Sequence, residues 1–170
     1  MSAQPQTTTV TDIYGIGVAN LHFNDAYLGA TQGAVTVKIT TETYNQVIDK
    51  YGTTPINIYE LATNISVTAP LKEETIAKLV KIMQAGTDAT TKITFGRQAG
   101  TAMAGYRLIL QPYDSNAHDI IIYKAVPKID WTLTYANDAE RVYNVEFMGI
   151  IDESRSENDK LFRIDESYSI

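Results

Sequence analysis

His22 and His118 are the two histidines of the chain, and there is no cysteine. His22 stands near Asn24 and Asp25, and His118 adjoins Asp119, so each imitates half a metal site. A zinc or copper centre needs three or four converging ligands. Two lone histidines without a third ligand at helical or hairpin spacing read as structural side chains. Asp152, Glu153, Glu157 and Asp159 form an acidic run of the kind calcium favours. The glycine of an EF-type loop is missing, and Arg155 and Lys160 interrupt the run, so it reads as a solvated loop. Gly15-Ile16-Gly17 begins like a dinucleotide fingerprint. Asn20 replaces its third glycine, and no crossover helix follows. There is no Gly-Lys-Ser/Thr phosphate loop and no Gly-x-Ser-x-Gly elbow. The sequence therefore points to a non-enzymatic protein, with no catalytic, cofactor-binding or metal-binding residue assigned and no cofactor.

The elements that would position any surface are mostly strands. Thr, Tyr, Val and Ile dominate, residues that suit a pleated, half-buried surface. Residues 18–23 read as a first strand, Asn24-Asp25 as a tight turn, and Tyr27-Leu28 as resumed extended chain. Gly29 and Gly33 bracket a bend. Val35, Val37 and Ile39 alternate with Thr36, Lys38 and Thr40, a period of two, and residues 43–48 continue extended. Asp49-Lys50-Tyr51-Gly52 is a turn signal. Strand follows through Ile56 and Ile58, and Leu61, Thr63, Ile65 and Val67 make another alternating face.

One segment changes period. Ile76, Leu79, Val80 and Met83 recur at i, i+3, i+4 and i+7. Pro70 suits a first helical turn, Glu73 and Glu74 favour an amino end, Glu74 can pair with Lys78, and Gly86 suits a left-handed cap. The spacing predicts one helix over residues 70–84. Strands return at Thr91, Ile93 and Phe95, then after a Gly-rich loop over residues 96–105. Further strands are predicted from Tyr106 to Pro112, over residues 118–126, at Ile129, Trp131, Leu133 and Tyr135, over 141–151, and briefly over 161–164. Many antiparallel strands with a single helix predict a mainly β fold, an antiparallel β-sandwich or barrel flanked by one α-helix.

The whole chain fits one domain. It has 170 residues, 44% of them hydrophobic and 20% charged, enough to bury a core without staples. Residues 1–11 read as a flexible arm and residues 12–170 as a single domain. The arm lacks an apolar signal core, and no apolar run approaches the ~20 residues of a spanning helix. A soluble product with no membrane insertion is expected. The net charge of −6 disfavours tight duplex binding, which usually needs a basic face.

Three stretches, in order, carry a resemblance. The first is Tyr27-Leu28-Gly29-Ala30-Thr31-Gln32-Gly33-Ala34-Val35-Thr36-Val37. The second is Asp49-Lys50-Tyr51-Gly52-Thr53-Thr54-Pro55-Ile56, and the third Val67-Thr68-Ala69-Pro70-Leu71-Lys72-Glu73-Glu74-Thr75. A looser match follows at Ala139-Glu140-Arg141-Val142-Tyr143-Asn144-Val145-Glu146-Phe147. Together they resemble the tail tube (major tail) proteins of long-tailed bacteriophages.

The resemblance implies a small β-sandwich or barrel with one helix, assembled as hexameric rings. Inner sheets would join into a continuous barrel, and rings would stack into a hollow virion tail tube. The implied partners are further copies of the chain, the tape measure protein enclosed before ejection, tail terminator and baseplate or tip proteins, and in contractile tails a sheath protein. Double-stranded DNA would pass through without specific binding. Assembly in the host bacterial cytoplasm is implied, and no catalytic residue carries over. By the same analogy the arm and the turn Asp49, Lys50, Tyr51 and Gly52 are candidates for ring-to-ring contact. Tyr44, Tyr51 and Tyr59 are aromatic interface candidates. Two other readings remain open at this level: a type VI secretion-like tube protein, and a carbohydrate- or protein-binding β-sandwich without catalysis.

Overall fold

The computed structural model describes residues 19–72, 75–83, 87–89, 92–96, 98–113, 117–129 and 142–166. The arm, the Gly15-Ile16-Gly17 run, Glu73, Glu74, Gly86 and the alternating residues Trp131, Leu133 and Tyr135 lie outside them.

Strand β1 (Ala19–Phe23) turns into β2 (Ala26–Tyr27) through Asn24 and Asp25. Both turn residues have positive φ, 51° and 58°. That is the twist a two-residue hairpin needs, and short polar side chains tolerate it. The long strands β3 (Thr36–Val47) and β4 (Pro55–Leu71) form the next hairpin. Then come a short helix, α1 (Ile76–Ile82), and the small pair β5 (Thr87–Ala89) and β6 (Lys92–Thr94). The chain closes with β7 (Tyr106–Pro112), β8 (Asp119–Ile129), β9 (Tyr143–Ile150) and β10 (Phe162–Asp165).

Eight strands make one antiparallel sheet in the order β2-β1-β7-β8-β9-β4-β3, with β10 also paired to β8. The protein is mainly β with one α-helix among the described residues. The sheet curls around its core. Phe23 on β1 and Phe147 on β9 are separated by two strands in the sheet order, yet their ring centroids are 5.1 Å apart. Chain leaving β2 reaches the far end of β4, where Gln32 N donates to Pro70 O (3.0 Å) and Lys72 N to Ala30 O (3.0 Å). Alternation fills the interior with Leu21 and Phe23, Val67 and Ala69, and Val145 and Phe147, all fully buried.

The helix differs from its sequence expectation. Pro70 and Leu71 stay in β4, paired with Asn144 and Tyr143, and the helix begins at Ile76 rather than residue 70. A strand residue turns its N–H and C=O to the same side. The Pro70 carbonyl accepts from Gln32, so the missing N–H faces residues 30–32 and costs the β9 ladder nothing. The buried stripe also moves. Leu79 and Ile82 are buried, whereas Ile76 is exposed and Val80 half-buried. Strand β5 had no counterpart in the sequence pattern.

Candidate functional site

Among the described residues, the β3–β4 hairpin extends beyond the rest of the sheet. Strand β4 pairs with β9 only from Ser66 onward. Residues 55–65 therefore run beyond the β9 ladder, roughly 35 Å of strand at ~3.3 Å per residue. The core ends at the pair Ile39↔Ile65, where Ile65 is 2% exposed and Ile39 is 45% exposed. Past that point both faces of the ribbon meet solvent.

Two irregularities shape it. Glu42 faces Ala62 but Thr43 faces Glu60, so Leu61 is an extra residue. Gln46 faces Asn57 but Val47 faces Pro55, so Ile56 is another. Bulges of this kind bend the strand and increase its twist. The tip is a 3-10 turn over Asp49–Tyr51 ended by Gly52, whose φ of 64° a residue with a side chain rarely adopts. Lys50 Nζ lies 5.4 Å from the centre of the Tyr51 ring.

All six residues marked by the sequence fall on this hairpin. Asp49, Lys50, Tyr51 and Gly52 form the tip, and Tyr44 and Tyr59 face each other lower down. The tyrosine face is fixed by side chains: Asn57 Nδ2 donates to the Tyr59 hydroxyl (3.0 Å), which donates to Gln46 Oε1 (3.1 Å). Sequence reasoning missed the aliphatic part of the surface. Ile58 and Leu61 are more than 60% exposed, with Val47, Ile48 and Ile56 also bare. Their signal was present as apolar residues, but alternation assigns such residues to a core.

The face that carries Tyr44 and Tyr59 continues onto the sheet as a polar surface. It comprises Lys38, Thr40 and Glu42 on β3, Asn64, Ser66 and Thr68 on β4, Asn144, Glu146 and the half-exposed Met148 on β9, and Lys128 on β8. Its charges offset one another: Lys128 Nζ is 3.8 Å from Glu146 Oε2. A separate apolar cleft of about 260 Å³ is lined by Val35, Val37, Leu110, Pro112 and Ile120, with His118 and Thr31 at its polar side.

The acidic run is not simply solvated. Asp152 holds Lys124 Nζ at 2.9 Å, and Asp159 holds Arg155 at 2.7 Å and accepts the Tyr123 hydroxyl. Two of the four acids are thus tied to β8. Among the described residues, no group of three or more histidines and carboxylates is placed to hold a metal ion. Compared with known proteins, the chain matches no family model and no curated protein.

Proposed function

We propose that this chain is the repeating structural subunit of a bacteriophage tail tube. It builds hexameric rings that stack into a hollow conduit enclosing the tape measure protein and later passing the genome. The observation that carries this reading is the β3–β4 hairpin, bare on both faces over residues 55–61 and rich in exposed aliphatic and tyrosine side chains. A two-stranded ribbon is at best marginally stable alone in water, and a long apolar edge invites pairing with another chain. Stacked copies would cover such a ribbon. The ordered resemblance of residues 27–37, 49–56 and 67–75 to tail tube proteins points the same way.

The role is structural. The polar sheet face, with its offset lysines and glutamates, suits a surface past which DNA slides rather than one that grips phosphates. The partners are further copies of this chain, the tape measure protein, and terminator, tip or baseplate proteins, with a sheath protein in a contractile tail. Sedimentation velocity over a wide concentration range tests the reading. Rings and larger polymers are expected as concentration rises, or once an initiating tip complex is added. A single 18.8 kDa species under both conditions would favour a monomeric ligand-binding β-sandwich instead.

A further inference from the structure

Residues 151–161 join β9 to β10 and are tied to β8 at two adjacent residues. At one tie, the Asp152 carboxylate meets Lys124 Nζ at 2.9 Å and accepts from Ser154 Oγ (2.7 Å) and Ser154 N (3.2 Å). At the other, the Arg155 guanidinium lies 3.7 Å from the centre of the Tyr123 ring. Arg155 also donates to Asp159 Oδ2 at 2.7 Å, and the Tyr123 hydroxyl donates to Asp159 Oδ1. The backbone closes the loop on itself, Asp152 N to Lys160 O (2.8 Å), and onto β8, Tyr123 N to Leu161 O (3.2 Å).

The position of these ties is specific. One edge of β8 is shared by two strands: β10 pairs with residues 119–122 and β9 with residues 124–129. Tyr123 and Lys124 sit at the junction between them. Among the described residues, strand β10 is held by one ladder and by Leu161 and Phe162 at the margin of the core. It is four residues long, pairs among the described residues with β8, and leaves Ile164 55% exposed. Arg163 pairs with Asp165 of the same strand (3.0 Å) and faces Asp159 of the loop, and Phe162 is half-buried against the margin of the core. A short strand on one ladder is the kind of unit that opens ahead of the rest of a fold.

We infer that the Lys124–Asp152 and Tyr123–Arg155–Asp159 contacts are an acid-labile latch: protonating both carboxylates releases residues 151–161 and β10 from β8 together, with the main sheet still folded. Asp152 faces Lys124 from β8 and Ser154 and Arg155 from the loop. Asp159 faces Tyr123 from β8, Arg155 from the loop and Arg163 from β10. Every facing group is a cation or a donor. Hydrogen bonds from Lys124 and Ser154 hold the Asp152 carboxyl at about 2, and those from Tyr123 and Arg155 lower that of Asp159. Both folded values lie below the unfolded value of about 3.9. Their stabilisation is therefore complete above about pH 4 and is lost as the pH falls toward 2.

Hydrogen exchange resolved by peptide tests the latch on the full chain. At pH 7, Asp152→Asn combined with Asp159→Asn is expected to raise exchange in residues 162–165 and 119–122 by roughly tenfold or more, while β9 is unchanged. The unsubstituted protein is expected to behave likewise as the pH falls from 4 to 2, after correction for intrinsic rates. Unchanged protection of β10 in the double variant would overturn the inference. If that variant does not fold, the acid series decides alone: loss of β10 ahead of β9 supports the latch, and simultaneous loss contradicts it.

Discussion

Tyr44 and Tyr59 stand directly opposite each other across the β3–β4 ladder, and neither is covered: 56% and 48% of their surfaces meet solvent. Directly opposed aromatics stabilise a strand pair, but only by a few tenths to ~1 kcal/mol. Their size and exposure fit a contact with another copy better than a contribution to the fold. Replacing both by serine, with Ile58→Lys on the opposite face, is expected to change folding stability by only about 1 kcal/mol while abolishing assembly. Thermal denaturation and sedimentation measure the two effects separately. Intact assembly by the triple variant would remove the hairpin from the interface.

Gly149 is a packing requirement rather than a turn. It pairs with Ala125 in the β8–β9 ladder, and a Cβ there would lie 2.5 Å from Ile65 Cγ2 and 3.3 Å from Ile122 Cγ2. Both isoleucines are locked in the core. Gly149→Ala is expected to destabilise the fold by roughly 1–3 kcal/mol, the usual range for overpacking. An unchanged urea midpoint would contradict it.

His22 supplies a pH dependence near neutrality. It packs against Tyr27, ring centroids 5.5 Å apart, and burial lowers its pKa below 6.5. The unfolded chain then binds the proton more readily than the folded one, so stability rises with pH up to about 6.5 and levels off above it. His22→Gln is expected to flatten that rise. Denaturant titrations between pH 5 and 8 measure the slope, and an equal slope in both proteins would refute the assignment.

The polar sheet face predicts indifference to DNA. Lys38 and Lys128 share it with Glu42 and Glu146, and Lys128 pairs with Glu146. Assembled protein is expected to give no gel shift of duplex DNA at physiological salt. Glu146→Gln together with Glu42→Gln would leave the lysines unopposed and is expected to produce weak, salt-sensitive retention. Micromolar retention by the unsubstituted assembly would contradict the account of this face.

Much of the sheet was legible because its signals are local. Asn24-Asp25 and Asp49-Lys50-Tyr51-Gly52 each mark a reversal by conformational preference. The alternation of Tyr143, Val145 and Phe147 marks a buried face, and all three side chains are buried. The helix boundary was not legible, since Pro70 satisfies both a helix start and a strand whose missing N–H faces away from the β9 ladder. What settles it is the contact with Gln32, thirty-eight residues earlier. The bulges at Ile56 and Leu61 depend on register against β3, which no single strand encodes. For the same reason, turn chemistry located the hairpin tip and aromatic content marked Tyr44, Tyr51 and Tyr59, while the aliphatic part of the surface had no such signal. The tip's candidacy as a contact came from the family resemblance. The ties from Asp152 and Asp159 to β8 also join distant segments, and an acidic run alone reads as solvent-facing charge.

The most direct measurement is a negatively stained micrograph of the concentrated protein, taken with and without an initiating tail tip complex. The tail tube account predicts rings with six-fold symmetry and hollow tubes built from stacked rings, both lost in the Tyr44, Tyr59 and Ile58 triple variant. Dispersed single particles under every condition, from protein that is folded by circular dichroism, would contradict it.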